Sequence, residues 1–217
     1  MIELRAYTSL SCGSMAPAEA VRMAKLAGLR AVTFTERVDA ATMHPVLNQL
    51  APVARSLSLY AGIDVIAGCE LAYMPSALLP DAIAEARAAG AQFVAVLGQY
   101  LSGHVEEGTN LAAIEGGCDL LSSPGLITEE EAVLAAEKNC MLDVTAYSPH
   151  ALANGHVVRM SRATGARIAV TGGVHEAIAF ISADLRRAVG IGAGMTADEY
   201  ATSRSHINAL LSRMLRM

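Results

Sequence analysis

Short apolar, β-prone runs recur along the chain, and between them lie alanine-rich stretches whose apolar positions repeat with helical spacing. The runs are "IELRAY" from Ile2, "AVTFTE" from Ala31, "DVIAGCEL" from Asp64, "QFVAVLG" from Gln92, "CDLLSS" from Cys118, "CMLDVTAY" from Cys140 and "RIAVTGG" from Arg167, which predicts seven strands. The intervening stretches predict helices over 18–27, 43–59, 78–89, 129–138, 151–164 and 177–189, with a last helix over about 197–215. Strands that are apolar almost throughout suit a parallel sheet covered by helices. Strand–helix alternation with right-handed crossovers gives either a doubly wound open sheet or a closed barrel, and periodicity does not choose between them.

Several predicted helix ends carry their own chemistry. "TEEE" at Thr128 and "TADE" at Thr196 have the form of capping boxes, in which a threonine oxygen and a carboxylate satisfy free helical amides. Pro17 suits a first helical position, and Gly28 and Gly90 stand where helices should stop. The longest connection is expected from Gly98 to about Gly108. "GIGAG" at Gly190 follows a predicted helix rather than a strand, so it lacks the setting of a dinucleotide fingerprint and reads as a loop.

Composition narrows this to one domain spanning 1–217: the 217 residues are 53% hydrophobic and 17% charged, enough for one sizeable core. With aromatics at 4% and no tryptophan, Ala, Leu, Val and Ile must fill the interior. No signal-peptide pattern or membrane-length apolar run stands out, so a soluble, cytoplasmic protein with no membrane association is expected. The formal net charge of −5, with basic residues scattered, argues against nucleic acid as a partner. Cys12, Cys69, Cys118 and Cys140 are far apart in sequence and read as free or buried thiols in a reducing compartment.

In both α/β architectures function concentrates at the carboxyl ends of the strands. That rule selects Arg5, Tyr7, Glu36, Arg37, Glu70, Gly98, Gln99, Ser122, Ser123, Tyr147, Gly172, Gly173 and His175.

The segments "PAEAVRMAKLAGLRAVTFTER", "DVIAGCEL", "GTNLAAIEGGCDLLSSPGLITEEEA" and "NGHVVRMSRATGARIAVTGGVHE", with their spacing, make the chain resemble the PHP (polymerase and histidinol phosphatase) family, in its histidinol-phosphatase-like branch. The likeness runs from Ile2 to about Glu199. It implies a distorted seven-stranded (β/α)7 barrel and, in active members, a site of up to three metal ions held by histidines and carboxylates. Against that pattern the opening H-x-H pair falls on Arg5 and Tyr7, and the next-loop ligand on Cys12. The "TDH" motif falls on Thr35, Glu36 and Arg37, and the strand-three glutamate is retained as Glu70. The later histidines fall on Gly98 and Ser123, and the final D-x-H on Gly173 and His175. Of nine implied ligand positions, Glu70 and His175 keep their residue type.

Arginine stays protonated and has no lone pair to offer a metal, so Arg5 and Arg37 put positive charge where the resemblance implies cations. Two readings follow: the guanidiniums pair with Glu70 and Glu36, or they form an anion pocket that grips phosphate or carboxylate. Gly172 and Gly173 can add backbone amides to such a pocket. A single Zn, Fe or Mn on Glu70 and His175, joined by Cys12, Tyr7 or Glu36, is the alternative to no metal at all. Ser123 or Cys12 with His175 has the elements of a nucleophile–base pair. His150 is close enough in sequence to a strand end to reach the mouth, His156 reads as a local cap or packing residue, and His104 as part of a solvated loop.

The expected function is therefore a degenerate PHP-like barrel that has lost trinuclear phosphoesterase chemistry and binds, regulates or assembles, with an anionic ligand in the old site. The last helix, apolar at Tyr200, Ile207, Leu210, Leu211, Met214 and Leu215, packs on the barrel or joins a protein partner or second copy. The alternative is a histidinol-phosphatase-like phosphoesterase with one metal.

Overall fold

In the computed structural model, which describes residues 1–216, all seven expected strands form one sheet in sequence order, every neighbouring pair parallel. They are β1 (Ile2–Ala6), β2 (Ala31–Val38), β3 (Asp64–Leu71), β4 (Phe93–Leu97), β5 (Leu120–Ser122), β6 (Met141–Thr145) and β7 (Ile168–Thr171). The sheet closes: beyond the end of β7, Val174 bridges to Ala6, its N–H donating to the Arg5 carbonyl at 2.7 Å while its own carbonyl accepts the Tyr7 N–H at 2.8 Å. The architecture is a (β/α)7 barrel, as expected.

The closure is short, and a carboxylate completes it. Glu3, fully buried, accepts the N–H of Arg5 at 2.9 Å and the N–H of Gly172 at 3.0 and 3.1 Å, so one side chain joins β1 to the chain just past β7. Arg186 neutralises it at 2.5 Å and donates to the Val170 carbonyl at 2.7 Å. Residue 172 must be glycine for this: a Cβ there would lie 2.7 Å from a Glu3 oxygen. The pairing of β1 with β2 also shifts register between Glu3 and Ala6, a local irregularity that re-aims side chains at the first strand's end.

The helices are α1 (Pro17–Leu26), α2 (Met43–Ala61), α3 (Leu79–Ala88), α4 (Thr109–Glu115), α5 (Glu129–Lys138), α6 (Asn154–Thr164), α7 (Ala183–Gly192) and α8 (Ala197–Met214). Both capping boxes form, Thr128 with Glu131 and Thr196 with Glu199. Pro17 opens α1, and Gly28 and Gly90 take positive φ just past α1 and α3. Inside the barrel the amino-terminal layer is apolar: Ile2, Ile66, Phe93, Leu120 and Met141 pack with Ile207, Leu210, Leu211 and Met214 of α8, which stops that end. Leu215, expected on the same face, is half exposed.

Three expectations need correction. Helix α4 is not apparent in the sequence, because seven residues starting at a left-handed Gly108 are too few to display a period. The stretch 151–164 divides into a 3-10 segment, Ser148–Ala153, and α6. The stretch 177–189 divides likewise, and α7 continues through Gly190 and Gly192, so "GIGAG" is largely helical. There Gly190 lets α8 approach, since a Cβ would meet Tyr200 at 3.0 Å and Met195 at 3.2 Å. Cys118 and Cys140 are free, buried thiols as read from the sequence, and the fold brings their sulfurs to 3.4 Å.

Glu3→Gln leaves the buried Arg186 guanidinium without its counter-charge at the seam. We expect a loss of about 3–5 kcal/mol in urea unfolding, read as a lower midpoint at unchanged slope.

Candidate functional site at the barrel mouth

Above the apolar layer the barrel interior turns ionic. Arg5 and Tyr7 come from β1 and its exit, Arg37 from β2, Glu70 from β3, Ser122 from β5, Asp143 from β6 and Thr171 from β7. Alternation along a strand brings every second side chain inward, so residues at the same height on successive strands meet on the axis. Glu70 is the centre. One oxygen accepts from Ser122 Oγ at 2.6 Å, Tyr7 Oη at 2.9 Å and Arg5 Nη2 at 3.1 Å; the other accepts from Arg37 Nε at 2.9 Å.

Arg5 is wholly buried and fully partnered. Its Nη1 donates to Asp143 Oδ2 at 2.5 Å, and its Nε and Nη2 reach the Tyr7 hydroxyl at 3.2 and 2.9 Å. Asp143 also accepts from Thr171 Oγ1 at 2.7 Å and from the Ser123 N–H at 3.3 Å. Two guanidiniums thus face two carboxylates. Burial alone would raise the Glu70 carboxyl, but the adjacent Arg5 and Arg37 and the Ser122 and Tyr7 hydroxyls overcome it and bring its pKa down to about 2.

Over this network lies a roof of imidazoles and phenols. His175 stacks on Tyr7, centroids 4.3 Å apart and 14° from parallel, and tilts against Tyr147 at 4.8 Å. His150 lies 4.1 Å from Tyr100 and meets Tyr147 edge-on at 5.0 Å. Burial, reinforced by the nearby Arg5, lowers His150 to a pKa of about 4, and burial also lowers His175 despite its contact with the Cys12 carbonyl. Both rings are therefore neutral at neutral pH. Cys12 Sγ lies 3.6 Å from His175 Nδ1, but burial raises the thiol, so the pair is thiol and imidazole rather than an ion pair.

Two buried nitrogens here have no partner among the described residues: Arg37 Nη2 and His175 Nε2. Arg37 is one-quarter exposed and lies over the Tyr7 ring, 5.5 Å from its centroid.

The residues selected from the sequence divide into three groups. Arg5, Tyr7, Arg37, Glu70 and Ser122 share the central network, and Cys12, Tyr147 and His175 share the roof. Glu36 is elsewhere: it points out of the barrel beneath the loop after β1, accepting the Thr8 N–H at 3.1 Å and the Ser11 hydroxyl, with burial raising its pKa. The guanidiniums therefore pair with Glu70 and Asp143, not with Glu70 and Glu36. Ser123 bonds to His150 Nδ1 at 2.9 Å, and Cys12 is the one that meets His175.

Packing accounts for the rest. Gly98 is pressed between Asn110 and Pro124, and Gln99 exchanges hydrogen bonds with Asn110. Gly173 takes φ +64 beside Tyr147, and the Gly172 amide is spent on Glu3 rather than aimed at the mouth. His156 bonds the Ile127 carbonyl at 2.7 Å, and His104 is exposed. Asp143 and Glu3 were missed, although each had a signal: a carboxylate inside an otherwise apolar strand must find a partner.

The residues do not fit the metal cluster that the resemblance implies. Glu70 has its oxygens engaged by two guanidiniums and two hydroxyls, and among the described residues no three His, Cys, Asp or Glu side chains gather as a metal site. Among the described residues, too, no helix is long and apolar enough to cross a membrane.

The fold and site together define a seven-stranded α/β barrel with an ion-pair network across its upper interior. The chain belongs to the family of the uncharacterized protein MJ1295 of Methanocaldococcus jannaschii, with which it is 30% identical over 206 residues, 94% of each chain. No family model matches it. Among solved structures it is similar to a two-domain protein from Bacteroides vulgatus containing a predicted PHP-like metal-dependent phosphoesterase. The identity there is 15% and the TM-score 0.48, covering 82% of this chain and about half, 52%, of the other. A truncated form of 3-deoxy-D-arabino-heptulosonate 7-phosphate synthase from Thermotoga maritima gives 15% identity and a TM-score of 0.49, covering 89% and 72%.

Arg5→Met strips Asp143 of its cation and Glu70 of one of two, and is expected to cost about 3–5 kcal/mol in equilibrium unfolding. Acid should act on the same network. Because the folded pKa of Glu70 lies below the ordinary value near 4.5, its contribution is complete above that value and is lost as pH falls toward about 2. It should amount to about 3 kcal/mol. Unfolding free energy measured from pH 6 to pH 2 should fall less steeply in Glu70→Gln.

Proposed function

We propose that this protein is a PHP-like barrel in which metal-dependent phosphoester hydrolysis has given way to binding, and that its mouth receives a small anionic ligand. One observation carries the reading: Arg5 and Arg37 converge on Glu70, the carboxylate that the family resemblance makes a metal ligand, and occupy its oxygens with fixed positive charge. A divalent cation there would have to displace a guanidinium and endure the other at close range.

The ligand's place follows from the donors left over. Arg5 is saturated by Asp143, Glu70 and Tyr7, so it serves as framework. Arg37 gives one nitrogen to Glu70 and keeps Nη2 free at a partly open position, where a phosphate or carboxylate oxygen receives a charge-assisted hydrogen bond. His175 Nε2 supplies a second donor if its proton is carried there. Tyr147 and the two imidazoles give the mouth an aromatic lining beside these donors.

Two measurements test this. Elemental analysis of protein purified without chelator and without a histidine tag should give well under one Zn, Fe or Mn per chain; near-stoichiometric metal that disappears in Glu70→Gln would overturn the reading. Titration with inorganic phosphate should move the His175 ring C–H resonance in proton NMR, and Arg37→Met should abolish the movement. A resonance unmoved at tens of millimolar would remove the anionic ligand.

A further inference from the structure

At the end of the barrel opposite the mouth, arginines gather around a cleft that the proposed function does not use. The cleft, about 380 Å³, is bounded by Met1 and Ile2 at the start of β1, by Arg30 just before β2, by the first turns of α7 and by Tyr200, Arg204, Ile207 and Asn208 of α8. Four guanidiniums line it: Arg30, Arg186, Arg187 and Arg204. Concentrating them there is unexpected in a chain whose formal net charge is −5.

Charge pairing shows which of them are free. Arg186 is spent on Glu3 at the barrel seam, while Arg30 donates to the neutral amide of Asn208 at 2.9 Å. Among the described residues neither Arg187 nor Arg204 has an ion-pair or hydrogen-bond partner for its guanidinium, and the acid lining the cleft is Asp184. Three guanidiniums without a bound carboxylate, set against one carboxylate, leave a formal surplus of two positive charges, to which the Met1 ammonium, its pKa lowered by burial and by Arg30, adds when protonated. A second, independent feature points the same way. Arg186 is only 4% exposed, yet its Nε is buried without a partner on a side chain that lines the cleft. A buried unpaired donor costs free energy, so the guanidinium is not fully satisfied by Glu3 and Val170.

We propose that this cleft is a binding site for a small molecule bearing a phosphate monoester or terminal diphosphate. A surplus of at least two suits a dianionic terminal phosphate, and guanidiniums hold such groups through forked, charge-assisted hydrogen bonds. A nucleic acid backbone offers singly charged diesters, and its approach as a polyanion is opposed by the chain's negative net charge. The volume lies within the range of small-molecule sites, and Ile2, Tyr200 and Ile207 give it an apolar floor for the body that carries the phosphate.

The test is calorimetric titration of the whole chain at pH 7.5 with phenyl phosphate, with dimethyl phosphate as the diester comparison. Saturable binding of phenyl phosphate is expected, with dimethyl phosphate at least tenfold weaker. In the Arg37→Met background, where the mouth's donor is gone, adding Arg187→Ala and Arg204→Ala should weaken phenyl phosphate at least tenfold, about 1.4 kcal/mol. Both positions are exposed, so the double variant should melt as the parent does. Arg37→Met, which removes the donor proposed for the mouth, should keep one saturable phenyl phosphate site, the one that the double substitution removes. No saturable heat up to several millimolar, or equal affinity when the double substitution is added to Arg37→Met, would overturn the proposal. Loss of binding in Arg37→Met would move the anion to the mouth, and tighter binding of a single-stranded RNA with a steep salt dependence would replace the small molecule by nucleic acid; either outcome also overturns it.

Discussion

The guanidinium of Arg5, wholly buried inside the barrel, sets the terms for everything around it. A charge taken out of water at that depth is tolerable only if every donor is met and counter-charge is close. Asp143 and Glu70 supply the charge, and the Tyr7 hydroxyl takes the donors they do not reach. Each partner then carries needs of its own: Asp143 draws in Thr171 and the Ser123 amide, and Glu70 draws in Ser122 and Arg37. One charged centre thus ties together β1, β2, β3, β5, β6 and β7. The same solution appears at the seam, where Glu3 and Arg186 stand in for the hydrogen bonds that β1 and β7 do not make.

The strands were legible because each is an apolar run bounded by polar turns, and burial on both faces leaves that pattern almost unmixed. Closure was not, because nothing in such a run says whether its outermost strands meet; here the answer lies in a Val174–Ala6 bridge and a single carboxylate. Helix α4 and the glycines within α7 defeated a reading based on period and breakers. One helix is too short to repeat, and Gly190 is required by the close approach of α8 rather than by a turn.

At the site, the sequence identified residues better than it identified pairs. Glu36 and Arg37 were expected to act together, yet adjacent residues of a strand face opposite sides, so Arg37 enters the barrel and Glu36 leaves it. The same alternation picks out Asp143, which shares the inward face with Met141 and Thr145 of β6. The family resemblance led attention to positions that ligate metal and away from a carboxylate whose role here is to balance Arg5. Likewise Ser123, His150, Cys12 and His175 were all candidates, but the partnership of Ser123 with His150 depends on the 3-10 segment 148–153, which carries His150 back over the mouth.

The two ends of the barrel differ in how their arginines are balanced, and this difference separates framework from function more sharply than burial does. At the upper end Arg5 and Arg37 meet Glu70 and Asp143, so the formal charges of the network cancel; Arg37 Nη2 and His175 Nε2 are the buried nitrogens there left without a partner among the described residues. At the lower end α8 has already closed the apolar core, so Arg30, Arg187 and Arg204 contribute nothing to filling it, and they have too few acids to pair with. Like charges held together without counter-charge raise the free energy of the empty cleft, and an anion is what lowers it. A fold that matches Arg5, Arg37 and Arg186 to carboxylates in its interior, yet leaves three arginines unmatched around one cleft, has left its excess positive charge where an anion from solution can reach it.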